Sequence, residues 1–248
     1  MRAGPVALVG SGEFLAAMTA VDVGLLRGRP RRVAVVPTAA TLEGPDRVGW
    51  WLELARRHYE AMGVEAVAVA AGTRAEADDA EVAGRVTGVG LVYLSGGDPH
   101  HLAATLRGSR LWEAIEAAWR GGAALAGCSA GAMALTAGAP PDLGPGGSRR
   151  SETAAAGGAG LGAVAGLCVI PHFDRLERRG PGVLRWFADW RPPGTVLVGI
   201  EEETALVGGP KRWTVEGRRE VVVFGSDPPR RFGAGAVVEI ATDEPGQE

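Results

Sequence analysis

Short apolar runs alternate with longer mixed segments along most of this 248-residue chain. The runs at 6–9, 32–36, 64–70 and 89–94 are rich in Val, Leu and Ala and end at Gly, Pro or Ser. Such runs predict strands buried on both faces. The segments between them, 13–26, 46–62 and 74–86, predict helices, the second anchored by Trp50, Leu54 and Tyr59. A further apolar run at 123–126 leads straight into a helix-forming run at 130–135. Residues 167–170 and 196–200 predict two more strands, separated by a helix carrying Leu184, Trp186 and Phe187. Runs at 205–207, 212–215 and 220–224 predict short antiparallel strands joined by tight turns. Residues 140–162 are turn-rich, small and polar, and residues 243–248 predict a frayed polar end. No internal repeat is evident. Strands spaced by helices pair in parallel through right-handed crossovers. The expected fold is therefore α/β, a three-layer sandwich around a mostly parallel central sheet, with short antiparallel strands near the C-terminal end. One domain over 1–248 is the simplest division.

Composition narrows the function classes. A net charge of −3 gives no reason to expect a nucleic-acid or anionic-membrane partner. Two cysteines, Cys128 and Cys168, form neither a disulfide framework nor a zinc pattern, and no metal or cofactor is expected. The charge-free stretches at 121–141 and 153–171 are mostly Gly and Ala broken by Pro, Ser or Thr, which makes them poor membrane spans. Without a signal-peptide pattern at the start of the sequence, a cytoplasmic location is the expectation.

An open parallel sheet binds ligands at the carboxyl ends of its strands. Gly127-Cys-Ser129-Ala-Gly131 stands at such an end, between a predicted strand and a predicted helix. G-x-S-x-G in that context is the pattern of a nucleophile elbow, with Ser129 at the tip. The plainer reading is a glycine-rich turn with a helix-capping serine. Cys128, one residue off the tip, reads as a small buried side chain. The Ala130 amide starts the helix and suits an oxyanion. Ser95-Gly96-Gly97-Asp98-Pro99 ends the preceding strand, so the Gly97 amide is the second candidate donor if the two strands are neighbours. Asp98 and Pro99 suit a helix start, and Asp98 is also a candidate substrate contact beside Gly97. Gly10-Ser-Gly12-Glu13 follows the first strand. Leu15 occupies the place of a third dinucleotide-loop glycine, so the segment reads as a tight turn at the sheet edge that could line a site.

A serine nucleophile needs a base. Of four histidines, His172 follows a buried strand directly and is the best base, while His58 reads as solvated and His100 and His101 as solvated or capping residues. The carboxylate that would orient His172 has four candidates: Glu202, Glu201, Asp142 and Glu152.

Ser95-Gly-Gly-Asp98, Gly127-Cys-Ser129-Ala-Gly-Ala132, Pro171-His172-Phe173 with Arg178, and Gly199-Ile-Glu-Glu202-Glu-Thr-Ala205 together resemble the cyanophycinase and alpha-aspartyl dipeptidase family of serine peptidases. The resemblance runs in order from Val6 to about Val223 and implies a class I glutamine amidotransferase-like fold. It also implies Ser129 as nucleophile and His172 as base. The cyanophycinase branch would place the acid on Glu202, and the dipeptidase branch on Asp142. Two positions depart from the cyanophycinase pattern: Pro99 stands in place of a glutamine, and Leu176 in place of the first arginine of the His-Phe block. The expected activity is hydrolysis of a peptide or isopeptide amide near an acidic residue, with Arg178, beside Arg175 and Arg179, as substrate-carboxylate ligand. A homodimer is one option. Acyl or amide transfer on the same serine, and a non-catalytic small-molecule-binding role, are the alternatives.

Overall fold

The computed structural model describes residues 2–140, 158–164 and 166–240. Asp142, Glu152, most of the turn-rich stretch and the expected frayed end lie outside the described residues. In chain order the elements are β1 (Val6–Val9), α1 (Thr19–Leu26), β2 (Arg32–Val36), α2 (Pro45–Ala61), β3 (Glu65–Ala68), α3 (Arg74–Ala77), α4 (Ala80–Gly84), β4 (Leu91–Leu94), α5 (Pro99–Leu106), α6 (Arg110–Arg120), β5 (Ala124–Cys128) and α7 (Ala130–Leu135). They continue with β6 (Gly138–Ala139), β7 (Gly158–Ala159), β8 (Leu167–Ile170), α8 (Phe173–Glu177), α9 (Pro181–Trp190), β9 (Val196–Ile200), β10 (Thr204–Gly208), β11 (Arg212–Gly217), β12 (Val221–Val223), β13 (Arg230–Phe232) and β14 (Val237–Glu239).

The central sheet has eight strands in the order β14-β11-β10-β1-β5-β4-β2-β3. The five from β1 to β3 are mutually parallel, and β10, β11 and β14 extend the sheet antiparallel. Alternation along the parallel strands divides their side chains between two cores. Ala7, Val9, Val33, Val35, Leu91, Tyr93 and Ala126 face Val21 and Leu25 of α1 and Ala55 and Tyr59 of α2. Leu8, Ala34, Val36, Val92, Leu94 and Leu125 face Leu102 and Leu106 of α5, Leu111 and Ile115 of α6, and α7. The continuous apolar runs follow from burial on both sides.

A second sheet, β13-β12-β9-β8, packs on the α5–α7 side through Val169, Val198 and Ile200. Its β8–β9 pair is parallel. Cys168, Ile170 and Leu197 fill its other face with Phe173 and Phe187. The apolar runs at 167–170 and 196–200 announced buried strands, but not that they belong to a separate sheet. A small β6–β7 ladder completes the set.

Local differences from the sequence reading have physical causes. The segment 74–86 is two short helices because Asp79 Oδ1 accepts hydrogen bonds from the Glu81 and Val82 amides, capping a new helix instead of continuing the old one. The helix expected from residue 13 begins later, at Thr19, after a 3-10 turn at Ala16–Met18. Trp50 is 48% exposed, with the Arg47 guanidinium stacked 4.5 Å from its ring centroid, whereas Tyr59 is fully buried. β1 lies between β10 and β5 rather than at a sheet edge, so the Gly10–Glu13 turn sits at the centre of the strand ends.

Candidate active site

Three segments meet at the carboxyl ends of β5, β8 and β9. Ser129 follows β5 with φ 52° and ψ −110°, a conformation that a non-glycine residue adopts only under constraint. The constraint is steric and glycine-dependent. A Cβ on Gly127 would lie 2.5 Å from the Gly131 backbone, and one on Gly131 would lie 2.3 Å from Leu94 O. The two glycines thus bring α7 hard against β5 and β4 and leave Ser129 at the tip of the turn. The Ser129 amide donates to Val9 O of β1, which pins the turn from the other side.

His172 follows β8 and starts α8, also with positive φ (49°). Its amide donates to Gly10 O, and the Glu203 amide donates to Ser11 O. The turn after β1 therefore stitches the second sheet to the central one. A Cβ on Gly10 would fall 2.2 Å from Glu201 O, so only glycine permits this approach. Among the described residues, four non-glycine residues have positive φ: Phe14, Ser129, His172 and Glu203. Each is, or adjoins, a side chain of this cluster, and such strain concentrates at functional sites.

Ser129 Oγ lies 3.0 Å from His172 Nε2, and His172 Nδ1 lies 2.9 Å from Glu202 Oε1. The Glu202 carboxylate accepts, so Nδ1 carries the proton and Nε2 is free to accept from the Ser129 hydroxyl. Glu202 Oε1 is also approached by Arg175 Nε at 2.9 Å and by Ser11 Oγ at 3.4 Å. The Glu202 backbone amide donates to Asp174 Oδ1, and the buried Asp174 is bound by Arg219 Nη1 at 3.0 Å. Glu201 points away: its Oε2 accepts from the Glu220 amide. Of the acid candidates within the described residues, Glu202 alone reaches His172.

β4 and β5 are neighbours, which brings the Gly96-Gly97 turn beside the elbow: a Cβ on Gly96 would lie 3.6 Å from Ser129 Cβ. Gly97 has φ 142°, and a Cβ there would lie 2.2 Å from Ala39 O. Its own N–H meets no acceptor among the described residues, while the next amide, Asp98, donates to Ala39 O. Asp98 Oδ1 caps α5 by accepting from the His100 and His101 amides. Arg178 is a largely exposed side chain with Nη2 3.7 Å from Asp174 Oδ2.

The other histidines are structural. His58 is buried, not solvated: Nε2 is 2.7 Å from Asp22 Oδ2, and burial raises the Asp22 carboxyl above its usual range. His100 is buried against Pro140 O, and His101 pairs with Thr41 Oγ1. Cys128 is fully buried, and its thiol is pushed well up by burial and by Glu13. From the sequence, Ser11 and Glu13 belonged only to a turn that could line a site and Arg175 only to a cluster facing a substrate carboxylate, and Asp174 was missed. The available signal was polar side chains directly after the ends of β1 and β8. Among the described residues, no group of three or more His, Cys, Asp or Glu is arranged to hold a metal ion. No helix among them is long and apolar enough to cross a membrane.

The fold and sequence have relatives. A peptidase from an acI-B1 Actinobacterium superposes with a TM-score of 0.84 at 33% identity, covering 96% of this chain and 97% of that one. A putative peptidase E protein from Listeria monocytogenes EGD-e superposes with a TM-score of 0.58 at 14% identity over 97% of this chain and all of the other, a likeness of fold alone. No curated protein matches the sequence. Residues 7–211 match Peptidase family S51. That match spans most of the chain, and with it the chain belongs to Peptidase family S51, the cyanophycinase and peptidase E family of serine-type peptidases.

Proposed function

We propose that Ser129, His172 and Glu202 form the triad of this peptidase and that it cleaves a short peptide or isopeptide amide next to an acidic residue. The observation that carries the reading is the continuous chain Ser129 Oγ–His172 Nε2–Nδ1–Glu202 Oε1, with links of 3.0 and 2.9 Å, at the tip of a strained elbow. Ser129 Oγ attacks the scissile carbonyl carbon while its proton passes to His172 Nε2. The carbonyl oxygen becomes an oxyanion held by the Gly97 and Ala130 amides. His172 returns the proton to the leaving amine as the C–N bond breaks. Water then attacks the acyl-enzyme with His172 again as base and releases the acid. Glu202 keeps the imidazole in the right tautomer and stabilises its cation.

Substrate choice follows from the cations near the triad. Arg175 is engaged with Glu202, so Arg178, exposed and held only loosely by Asp174, is the group proposed to meet a substrate carboxylate. Asp98, next to Gly97, is the group proposed to meet a substrate amine through Oδ2. Pro99 is the first residue of α5 and Leu176 packs on the second sheet's core, so neither supplies a polar contact. Cyanophycin is therefore expected to be a poor substrate beside a short acidic peptide. Two buried, unpaired cysteines suit a reducing compartment, in keeping with a cytoplasmic location. A panel of Asp-X, isoaspartyl and neutral dipeptides, assayed with wild type, Ser129→Ala and Arg178→Ala, tests the reading. Wild type should favour the acidic members, Ser129→Ala should lose all turnover, and Arg178→Ala should raise KM for acidic members by roughly tenfold, the effect of one charged hydrogen bond. Equal KM changes for acidic and neutral members would remove Arg178 from the account.

A further inference from the structure

Glu13 lies just past the end of β1 and is 5% exposed, yet no cation pairs with it among the described residues. Its two oxygens are spent on two neutral donors. Oε1 accepts from the Gly96 amide at 3.0 Å, and Oε2 accepts from the Cys128 thiol at 2.7 Å. Gly96 immediately precedes Gly97 at the exit of β4. Cys128 immediately precedes Ser129 at the exit of β5. One carboxylate thus bridges the two strand ends from which both oxyanion amides project. The fit is close: a Cβ on Gly96 would lie 3.1 Å from Glu13 Oε1 and 3.6 Å from Ser129 Cβ. The residue after Glu13, Phe14, is buried against Tyr93 and carries positive φ (62°), so the turn bearing Glu13 is held in a sparsely populated conformation. A buried acid served only by dipoles is an expensive structural tie, and a small apolar residue would fill the space at less cost.

We propose that Glu13 is a positioning residue for the oxyanion hole: by holding the Gly96 N–H and the Cys128 S–H, it fixes the exits of β4 and β5 and leaves the Gly97 N–H directed at the substrate oxygen. The inference rests on Ser129 being the nucleophile and the Gly97 and Ala130 amides being the oxyanion donors. Gly97 N–H is the amide left without an acceptor, whereas the amides on both sides of it are bound, by Glu13 and by Ala39 O. The same contact keeps Cys128 a protonated donor. Burial and the adjacent acid hold its thiol well above the ordinary range, so it does not compete with Ser129.

A fluorophosphonate probe reads this directly, because its P=O occupies the oxyanion position. Ser129 Oγ forms the O–P bond, fluoride leaves, and the hydroxyl proton passes to His172. Labelling rates are measured for wild type, Glu13→Ala and Glu13→Gln, each normalised to folded protein by end-point labelling and with Tm recorded separately. Glu13→Ala should lower kinact by roughly 100-fold, the effect of misplaced reacting groups, with KI little changed. Glu13→Gln should recover most of the rate, since its carbonyl still accepts from Gly96 and its amide can face the Cys128 sulfur. A wild-type kinact in Glu13→Ala, or Gln no faster than Ala, would overturn the proposal. If Glu13→Ala does not fold, Cys128→Ala and Cys128→Ser decide the matter. Loss of the donor should slow labelling and serine should restore it, and equal rates for the two count against the clamp. Ser129→Ala keeps the two levels apart. Persistent labelling in Ser129→Ala defeats the nucleophile reading, whereas abolished labelling there with a wild-type rate in Glu13→Ala defeats the Glu13 proposal alone.

Discussion

The three side chains of the proposed triad come from distant parts of the chain, and each is held by several contacts with its surroundings. Ser129 is pinned by the Val9 carbonyl and by two glycines, and His172 by the Gly10 carbonyl. Glu202 is pinned through its backbone by Asp174 and through its carboxylate by Arg175 and Ser11. Arg175 is largely exposed, so its pull on Glu202 is screened and modest. The orienting role of Glu202 therefore predicts a sharp result. Glu202→Gln should lower kcat by roughly 10²–10⁴-fold, in the range of losing base orientation, with little change in Tm. Asp142→Asn should leave kcat near wild type in the same assay. The reverse pattern would move the acid to the segment between serine and histidine. Ser129 and His172 were legible in the sequence as candidates, because each stands at the exit of an apolar strand and the chemistry names the residue type, whereas Glu202 was one of four candidate acids. The choice among four acids was not legible, since it depends on how β9 lies beside β8. Glu13 was not legible either: its partners are 83 and 115 residues away.

At the level of elements, the runs at 167–170 and 196–200 became strands with the same ends, because burial on both faces leaves an unbroken apolar signature. β13 and β14 escaped notice. Arg230–Phe232 and Val237–Glu239 are short, lie at sheet edges and are mostly exposed, so no apolar pattern marks them. α2 shows how a polar-looking helix position can be deeply buried. His58 sits among charged neighbours in sequence, yet its ring is bonded to Asp22 of α1 and ties the two helices on one face of the central sheet. Replacing His58 with Leu would leave the Asp22 carboxyl buried without its partner and should reduce stability by about 1–3 kcal/mol. Urea unfolding reads that loss, and end-point labelling reads activity per folded molecule, which should be unchanged. A His58→Leu protein as stable as wild type would show that the pair contributes nothing to the packing of α1 on α2.

Across the whole molecule, the turn after β1 links the two sheets beside Ser129, so that the proposed nucleophile follows a strand of one sheet while the proposed base and acid follow strands of the other. An apolar run in sequence says that a strand is buried but not which strands cover it, and so this division was invisible beforehand. The packing between and behind the sheets also sets an alkaline limit. Burial pushes the Cys168 thiol up to about 12, and raises the Cys128, Tyr59 and Tyr93 groups well above their ordinary values. Each keeps its proton in the folded state at a pH where the unfolded chain has released it, so stability falls as pH rises from about 9, the ordinary thiol range, toward 12. Cys168→Ala removes one such group and should flatten the decline by up to about 1.4 kcal/mol per pH unit, measured by urea unfolding between pH 8 and 10.5. An unchanged slope would mean that the Cys168 proton is not linked to folding. The claim on which the rest depends is that the elbow serine is the nucleophile of this S51 peptidase, and mass spectrometry of the fluorophosphonate adduct tests it most directly. One adduct per chain, mapped to Ser129, lost in Ser129→Ala and retained in Cys128→Ala, is the predicted result. An adduct on any other residue of the wild-type protein, or one that survives in Ser129→Ala, would contradict it.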